Sequence, residues 1–163
     1  MLREWIDGPP SGRLARVVPP PDYAEGEMHL LRMTGRDALN EPFRYDVDVL
    51  SKRADLPIDE LLGKPFGVLL ESPGAAFKPG MTPQDPRAFH GYVCAAEQIG
   101  MHGRHFTYRL SLRPWLWFLS RNVDCRIFQE CSTPEIVKAV FAGYADVARF
   151  ELRLAERYAK RRY

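Results

Sequence analysis

Asp46 and Asp48 stand two residues apart in FRYDVDVLS, and a carboxylate pair that close is one arrangement that acid–base chemistry uses. The residues around them point elsewhere. Phe43, Tyr45, Val47 and Val49 alternate with Arg44, Asp46 and Asp48, so the segment reads as a half-buried strand with the two aspartates on its solvated face. His102 and His105 have the spacing HxxH, but they flank Gly103 with no acidic or thiol companion nearby. Two histidines fall short of the three or four protein ligands that a zinc site uses. The three cysteines, Cys94, Cys125 and Cys131, show no CxxC spacing and are odd in number, which supports neither a zinc ribbon nor a disulfide scaffold. Cys94, inside YVCAA, reads as a small buried hydrophobe. No GxGxxG, P-loop, GxSxG or HExxH pattern occurs, and serine, histidine and aspartate are present without any motif that would gather them. The residues therefore nominate no catalytic, cofactor-binding or metal site, and the chain reads as a non-enzyme.

One mixed basic and aromatic stretch invites a binding reading. Arg104, His105, Phe106, Tyr108, Arg109 and Arg113 resemble the composition of single-strand-binding barrels. A stacking platform needs aromatics and cations on one surface. Here Phe106 and Tyr108 share a face with Leu110 and Leu112, while His105, Thr107, Arg109, Ser111 and Arg113 lie on the other. The aromatics belong to a core, and a generic β-barrel module binding protein or single-stranded nucleic acid remains only the alternative.

The elements that carry these residues are mostly strands. Residues 1–27, rich in proline and glycine, read as a flexible N-terminal arm. MHLLRMT (28–34) predicts a strand, and residues 34–43 a turn-rich connection before the strand at 43–51. LPIDELLGKPF predicts a short helix, with Gly63 as a left-handed cap and Pro65 as a stop. A strand at 66–72 precedes residues 72–88, whose four prolines and two glycines predict a long loop. FHGYVCAAEQI and RHFTYRLSLRP are joined by the glycine-bracketed GMHG, a hairpin. WLWFLSR predicts a short helix whose aromatics plug into the core. CRIFQEC (125–131) predicts a strand. STPEIVKAVFAG predicts the one good helix, 133–143, with Ser132 or Thr133 as N-cap, Glu135 closing a capping box and Gly143 ending it. FELRL predicts a last strand, inside a strand-and-basic-tail region at 147–163. Strands joined by hairpins, with one late helix, predict a mainly β fold: an antiparallel β-barrel over 28–131 with short helical turns.

Composition limits the rest. Apolar content of 45% and charged content of 27% match a globular domain rather than a disordered one. A net charge of +2 lacks the basic excess that nucleic acid selects, so no nucleic-acid partner is expected. No apolar run approaches the ~18–20 residues of a membrane span, so no stable membrane insertion is expected. The first residues, MLREWIDGPPSG, hold no apolar signal-peptide core.

Four stretches in order, GRDALNEPFRYDVDVLS, DELLGKPFGVLLES, FHGYV with AEQIG, and YRLSLRPWLWFLSRNVDCRIFQECSTPEIVKAVF, resemble the N-terminal hub region of VgrG spike proteins of type VI secretion systems, the Rhs-element Vgr family. The resemblance covers roughly residues 28–154 and is most specific in RLSLRPWLWFLSRNVDCRIFQ. It implies a partial hub domain over 28–163, with a fold like tail-tube and phage-hub barrels. It implies a homotrimer in the full-length protein that docks on the hexameric Hcp tube, with a PAAR-type tip protein and effectors engaged through C-terminal regions. It also implies assembly in the cytoplasm, export through the secretion apparatus without a signal peptide, no cofactor and no catalytic residue. Because family members continue far beyond Tyr163, the sequence is expected to be part of a longer hub, with an exposed sheet edge available for self-pairing.

Overall fold

The computed structural model describes residues 15–24, 26–70 and 87–162. They fall into two compact units that meet in sequence at Pro114 and Trp115. The first unit contains six strands: β1 (Ala15–Val18), β2 (His29–Ala38), β3 (Glu41–Ser51), β4 (Pro65–Leu70), β5 (Arg87–His102) and β6 (His105–Arg113). They form one sheet in the order β1-β4-β5-β6-β3-β2, antiparallel at every pairing. The sheet curls until β1 and β2 lie near one another, with no ladder between them among the described residues. The expected antiparallel barrel fold is therefore present as a half-barrel.

Alternation explains the core. Tyr45, Val47 and Val49 of β3 pair with Leu112, Leu110 and Tyr108 of β6, and all six are buried. Phe66 and Val68 of β4 and Val93 of β5 complete the wall, and Leu61 closes it from a 3-10 turn at Ile58–Leu61. Burying each such side chain stabilises by about 1.5–3 kcal/mol. Beside them an aromatic group fills the space over two glycines. Phe43 stacks on Tyr45 at 4.5 Å, and Tyr45 meets Phe89 edge-on at 5.5 Å. A Cβ on Gly91 would stand 2.9 Å from the Arg113 carbonyl oxygen, and one on Gly35 would stand 2.6 Å from the Tyr45 ring. Close approach of the rings needs glycine there.

Curvature comes from irregularities in the ladders. β5 slips against β6 between Val93 and Ala95 and again between Gln98 and Gly100. Each extra residue bends the strand and increases its twist. The second slip also lengthens the expected hairpin: β5 continues to His102, and the turn is only Gly103–Arg104, with φ 63 at Gly103. The β2–β3 connection is likewise tighter than predicted. Its turn is Leu39–Asn40, and asparagine tolerates the positive φ of 64.

Several expectations about boundaries change. The proline-rich N-terminal stretch is not free of structure where it is described: Ala15–Val18 is an edge strand on β4. Tyr23 is buried and its hydroxyl donates to the Pro57 carbonyl at 2.7 Å. Residues 1–14 of the expected arm and 71–86 of the expected loop lie outside the described residues. The sheet ends at Arg113, before the expected limit of 131.

The second unit holds a 3-10 turn at Trp115–Arg121 and one α-helix, α1 (Thr133–Ala142). The helix is the one predicted. Glu135 Oε2 accepts from the Ser132 amide at 2.6 Å and from its hydroxyl at 2.8 Å, Pro134 sits in the first turn, and Gly143 is the C-cap. The tryptophan turn departs from expectation: none of its residues is fully buried, and Trp115 packs instead on Phe141 (4.7 Å) and Phe150 (6.3 Å) of its own unit. The predicted strands at 125–131 and 150–154 are not strands. Apart from a lone bridge between Cys131 and Arg161, neither stretch has a partner strand among the described residues, and a strand has no stability without one.

Candidate functional site

The outer face of β2, β3 and β6 is the most organised polar surface of the first unit. Register builds it. Arg32, Asp48 and Arg109 stand side by side on the three strands, and the next row outward along β3 is Thr34, Asp46 and Ser111. Arg109 Nε donates to Asp48 Oδ1 at 2.7 Å and its Nη2 to Oδ2 at 3.1 Å. Arg32 donates to Oδ2 through Nη2 at 2.8 Å and Nε at 3.1 Å. Asp46 accepts from the Ser111 hydroxyl at 2.6 Å and from Arg44 Nε at 3.0 Å.

Sequence reasoning placed both aspartates on a solvated face, and for Asp48 the structure corrects this. Its side chain is only 5% exposed, because arginines from both neighbouring strands close over it. The hydrogen bonds from Arg109 hold the Asp48 carboxyl below the usual carboxylate range, with Arg32 adding to the effect and burial opposing it. A general base working near neutral pH needs a shift in the other direction. Asp48 is therefore an anion at neutral pH that ties three strands together. Only the strand register reveals this, and neither arginine is close to Asp48 in sequence.

The remaining candidates separate. His102 and His105 face each other across the β5–β6 turn, with His102 exposed and His105 buried. Among the described residues no group of three or more His, Cys, Asp or Glu side chains is placed to hold a metal ion. Cys94 is half-buried rather than buried, because it is the extra residue at the first β5 slip, and its thiol points to the Ser111 carbonyl at 3.2 Å. In the basic and aromatic hairpin, Tyr108 is buried and its hydroxyl donates to the Arg53 carbonyl at 2.8 Å, while Arg109 is committed to Asp48. Neither is available to stack on a base.

The second unit carries a feature that sequence reasoning saw only as a strand. Residues 122–129 form neither helix nor strand, and Asn122, Asp124, Arg126 and Phe128 line a cleft of about 260 Å³ with Leu119, Val140 and Tyr144. Residues 121–127 are all exposed, Val123 at 97% and Ile127 at 88%.

No catalytic constellation has emerged from these surfaces, and comparison with known proteins shows what kind of molecule has this architecture. The family model for the phage tail baseplate hub (GPD) matches residues 36–163. The chain belongs to this hub family. Its relatives include the type VI secretion system spike proteins VgrG1b and VgrG1a of Pseudomonas aeruginosa. Identity to VgrG1b is 40% over 153 residues, 93% of this chain, and to VgrG1a 41% over 136 residues, 82% of it. The chain spans 19% of the length of each. Among solved structures, the Escherichia coli c3393 protein matches with a TM-score of 0.60 at 21% identity. The match covers 83% of this chain and 35% of that one. That protein is described as a component of the type VI secretion system with structural similarity to the bacteriophage T4 tail proteins gp27 and gp5. The hub-like β fold is thus shared. Among the described residues, no helix is long and apolar enough to cross a membrane.

Proposed function

We propose that this chain is the hub region of a type VI secretion spike, that it trimerises in the context of a full-length spike, and that it docks on the hexameric Hcp tube. A PAAR-type tip protein and effectors would be engaged by other regions of the spike, and the assembly would form in the cytoplasm and leave through the apparatus without a signal peptide. The role of this region is mechanical and involves no catalysis. The observation that carries the reading is 40% identity to a spike protein across 93% of the chain, on a fold shared with a type VI component.

The physics suits such a role. A curled antiparallel sheet with a continuous apolar lining resists deformation, because bending it separates many ladder bonds at once. Asp48 adds charge-assisted cross-links between β2, β3 and β6 on the face away from that lining. Large outward strand faces, and not a pocket, are what assembly with other subunits requires.

The test is a graft. Residues 15–162 replace the matching region of P. aeruginosa VgrG1b, and release of tube protein into the medium is measured. Release near the parental level is expected. A grafted spike that accumulates in soluble form yet releases no tube protein would overturn the reading.

A further inference from the structure

The two end strands of the sheet, β1 and β2, are joined by the chain between Val18 and His29, and no ladder links them among the described residues. The sequence of that connection is unusual. Pro19, Pro20 and Pro21 follow β1 directly, so φ is fixed at three successive residues and no amide there can extend the β1–β4 ladder. Tyr23 comes next, its amide bonded to the Pro20 carbonyl at 3.1 Å. Gly26 then adopts a φ of 81, and a Cβ on it would meet no atom within 4 Å. A stiff link, a bulky ring and an unconstrained glycine stand in that order.

Each part has a place in the fold. Tyr23 is buried among the lining residues, and its hydroxyl donates to the carbonyl of Pro57, which precedes the 3-10 turn at Ile58–Leu61. Asp22 accepts from Lys64 Nζ at 2.6 Å. Glu27, just past the glycine, is held by Arg53 at 2.7 Å and accepts from the Ala24 amide at 3.1 Å. Among the described residues, no backbone hydrogen bond runs from 19–24 to any strand. Side chains alone hold this stretch to the body, and β1 itself is held to β4 by only four residue pairs.

We propose that Pro19–Ala24 is a clasp, which closes the curled sheet in place of a β1–β2 ladder and opens as one unit with β1, pivoting at Gly26. The prolines make β1 and Tyr23 move together, and glycine takes up a rotation that other residues resist. Opening parts Tyr23 from Pro57, Asp22 from Lys64 and β1 from β4. The β3–β6 pairing and the Glu27–Arg53 ion pair remain. Such a unit lets a rigid wall yield locally without unfolding. The device goes beyond the spike reading and does not depend on it.

Hydrogen exchange of the chain in sub-denaturing urea tests the clasp. Amides that bond β1 to β4 should exchange through openings at least about a hundredfold more frequent than those bonding β3 to β6, and with a weaker urea dependence. Independent fraying of an edge strand gives the same result, so two substitutions outside β1 separate the cases. Tyr23→Phe removes only the hydroxyl and should speed β1 exchange several-fold. Gly26→Ala strains the closed form and should speed it about tenfold. Fraying predicts no change from either. Tyr23→Asp puts a charge in place of the plug, so β1 should lose its protection while the β3–β6 amides keep theirs. The proposal is overturned if β1 exchanges no faster than β3–β6, if either remote substitution leaves β1 exchange unchanged, or if Tyr23→Asp unfolds the whole chain. A failed spike graft would leave these measurements unaffected.

Discussion

Replacing Asp48 by asparagine keeps the shape of the side chain and removes the charge at the centre of the Arg32–Asp48–Arg109 cluster. Asp48 accepts four charge-assisted hydrogen bonds between 2.7 and 3.1 Å. Truncating one member of a fully buried ion pair costs about 3–5 kcal/mol, and an exposed pair contributes about 0–1 kcal/mol. This cluster lies between those limits: the Asp48 side chain is 5% exposed, Arg109 34% and Arg32 60%. The amide oxygen can still accept from one guanidinium while its NH₂ opposes the other, so a loss of about 2 kcal/mol follows. Urea denaturation at pH 7 measures it, with the midpoint lowered and the m-value unchanged. The pH dependence supplies the sharper part of the test. The folded carboxyl titrates below its ordinary value of 3.8, so its contribution is complete above that value and disappears as pH falls through the folded pKa. The gap between the parent and Asp48→Asn should therefore be constant from pH 7 to about 5 and shrink below about pH 4. A gap under about 0.5 kcal/mol at neutral pH, or one that widens in acid, would refute the assignment of Asp48 as a buried cross-link.

Other substitutions test the packing. Leu110→Ala, at a fully buried site, should cost about 2–5 kcal/mol in the same denaturation assay. Gly91→Ala should cost about 1–3 kcal/mol, because its Cβ would meet the Arg113 backbone and the Phe43 ring, neither of which can retreat freely. Gly63→Ala has open space around it but a φ of 75, so about 1–2 kcal/mol of backbone strain is expected, and a neutral result would place that residue in another conformation. Ser132→Ala should cost about 1 kcal/mol and speed hydrogen exchange at the first turn of α1 more than at β6.

Much of the fold was legible because period two is hard to disguise. The lining residues of β3 and β6, from Phe43 to Val49 and from Phe106 to Leu112, announce themselves in sequence, and the Ser132–Glu135 cap marks α1 as plainly. The illegible parts share a cause. Asp48 reads as surface until the register brings Arg32 and Arg109 alongside it, and register is a long-range property. The ladder slips beside Cys94 and Ile99 shift side chains between faces; no residue type marks the first, and Gly100, which marks the second, reads in sequence as part of the turn. β1 was hidden by the prolines that follow it, although edge strands tolerate proline nearby. The segments at 125–131 and 150–154 have strand-like alternation but find no partner strand among the described residues, so local preference alone does not make them strands.

The most direct measurement is native mass spectrometry of the grafted spike, alone and mixed with purified hexameric tube protein. The hub assignment predicts a mass of three grafted chains, and of three grafted chains with six tube subunits after mixing. A grafted spike that stays monomeric, or a trimer that leaves the hexamer free, would contradict it.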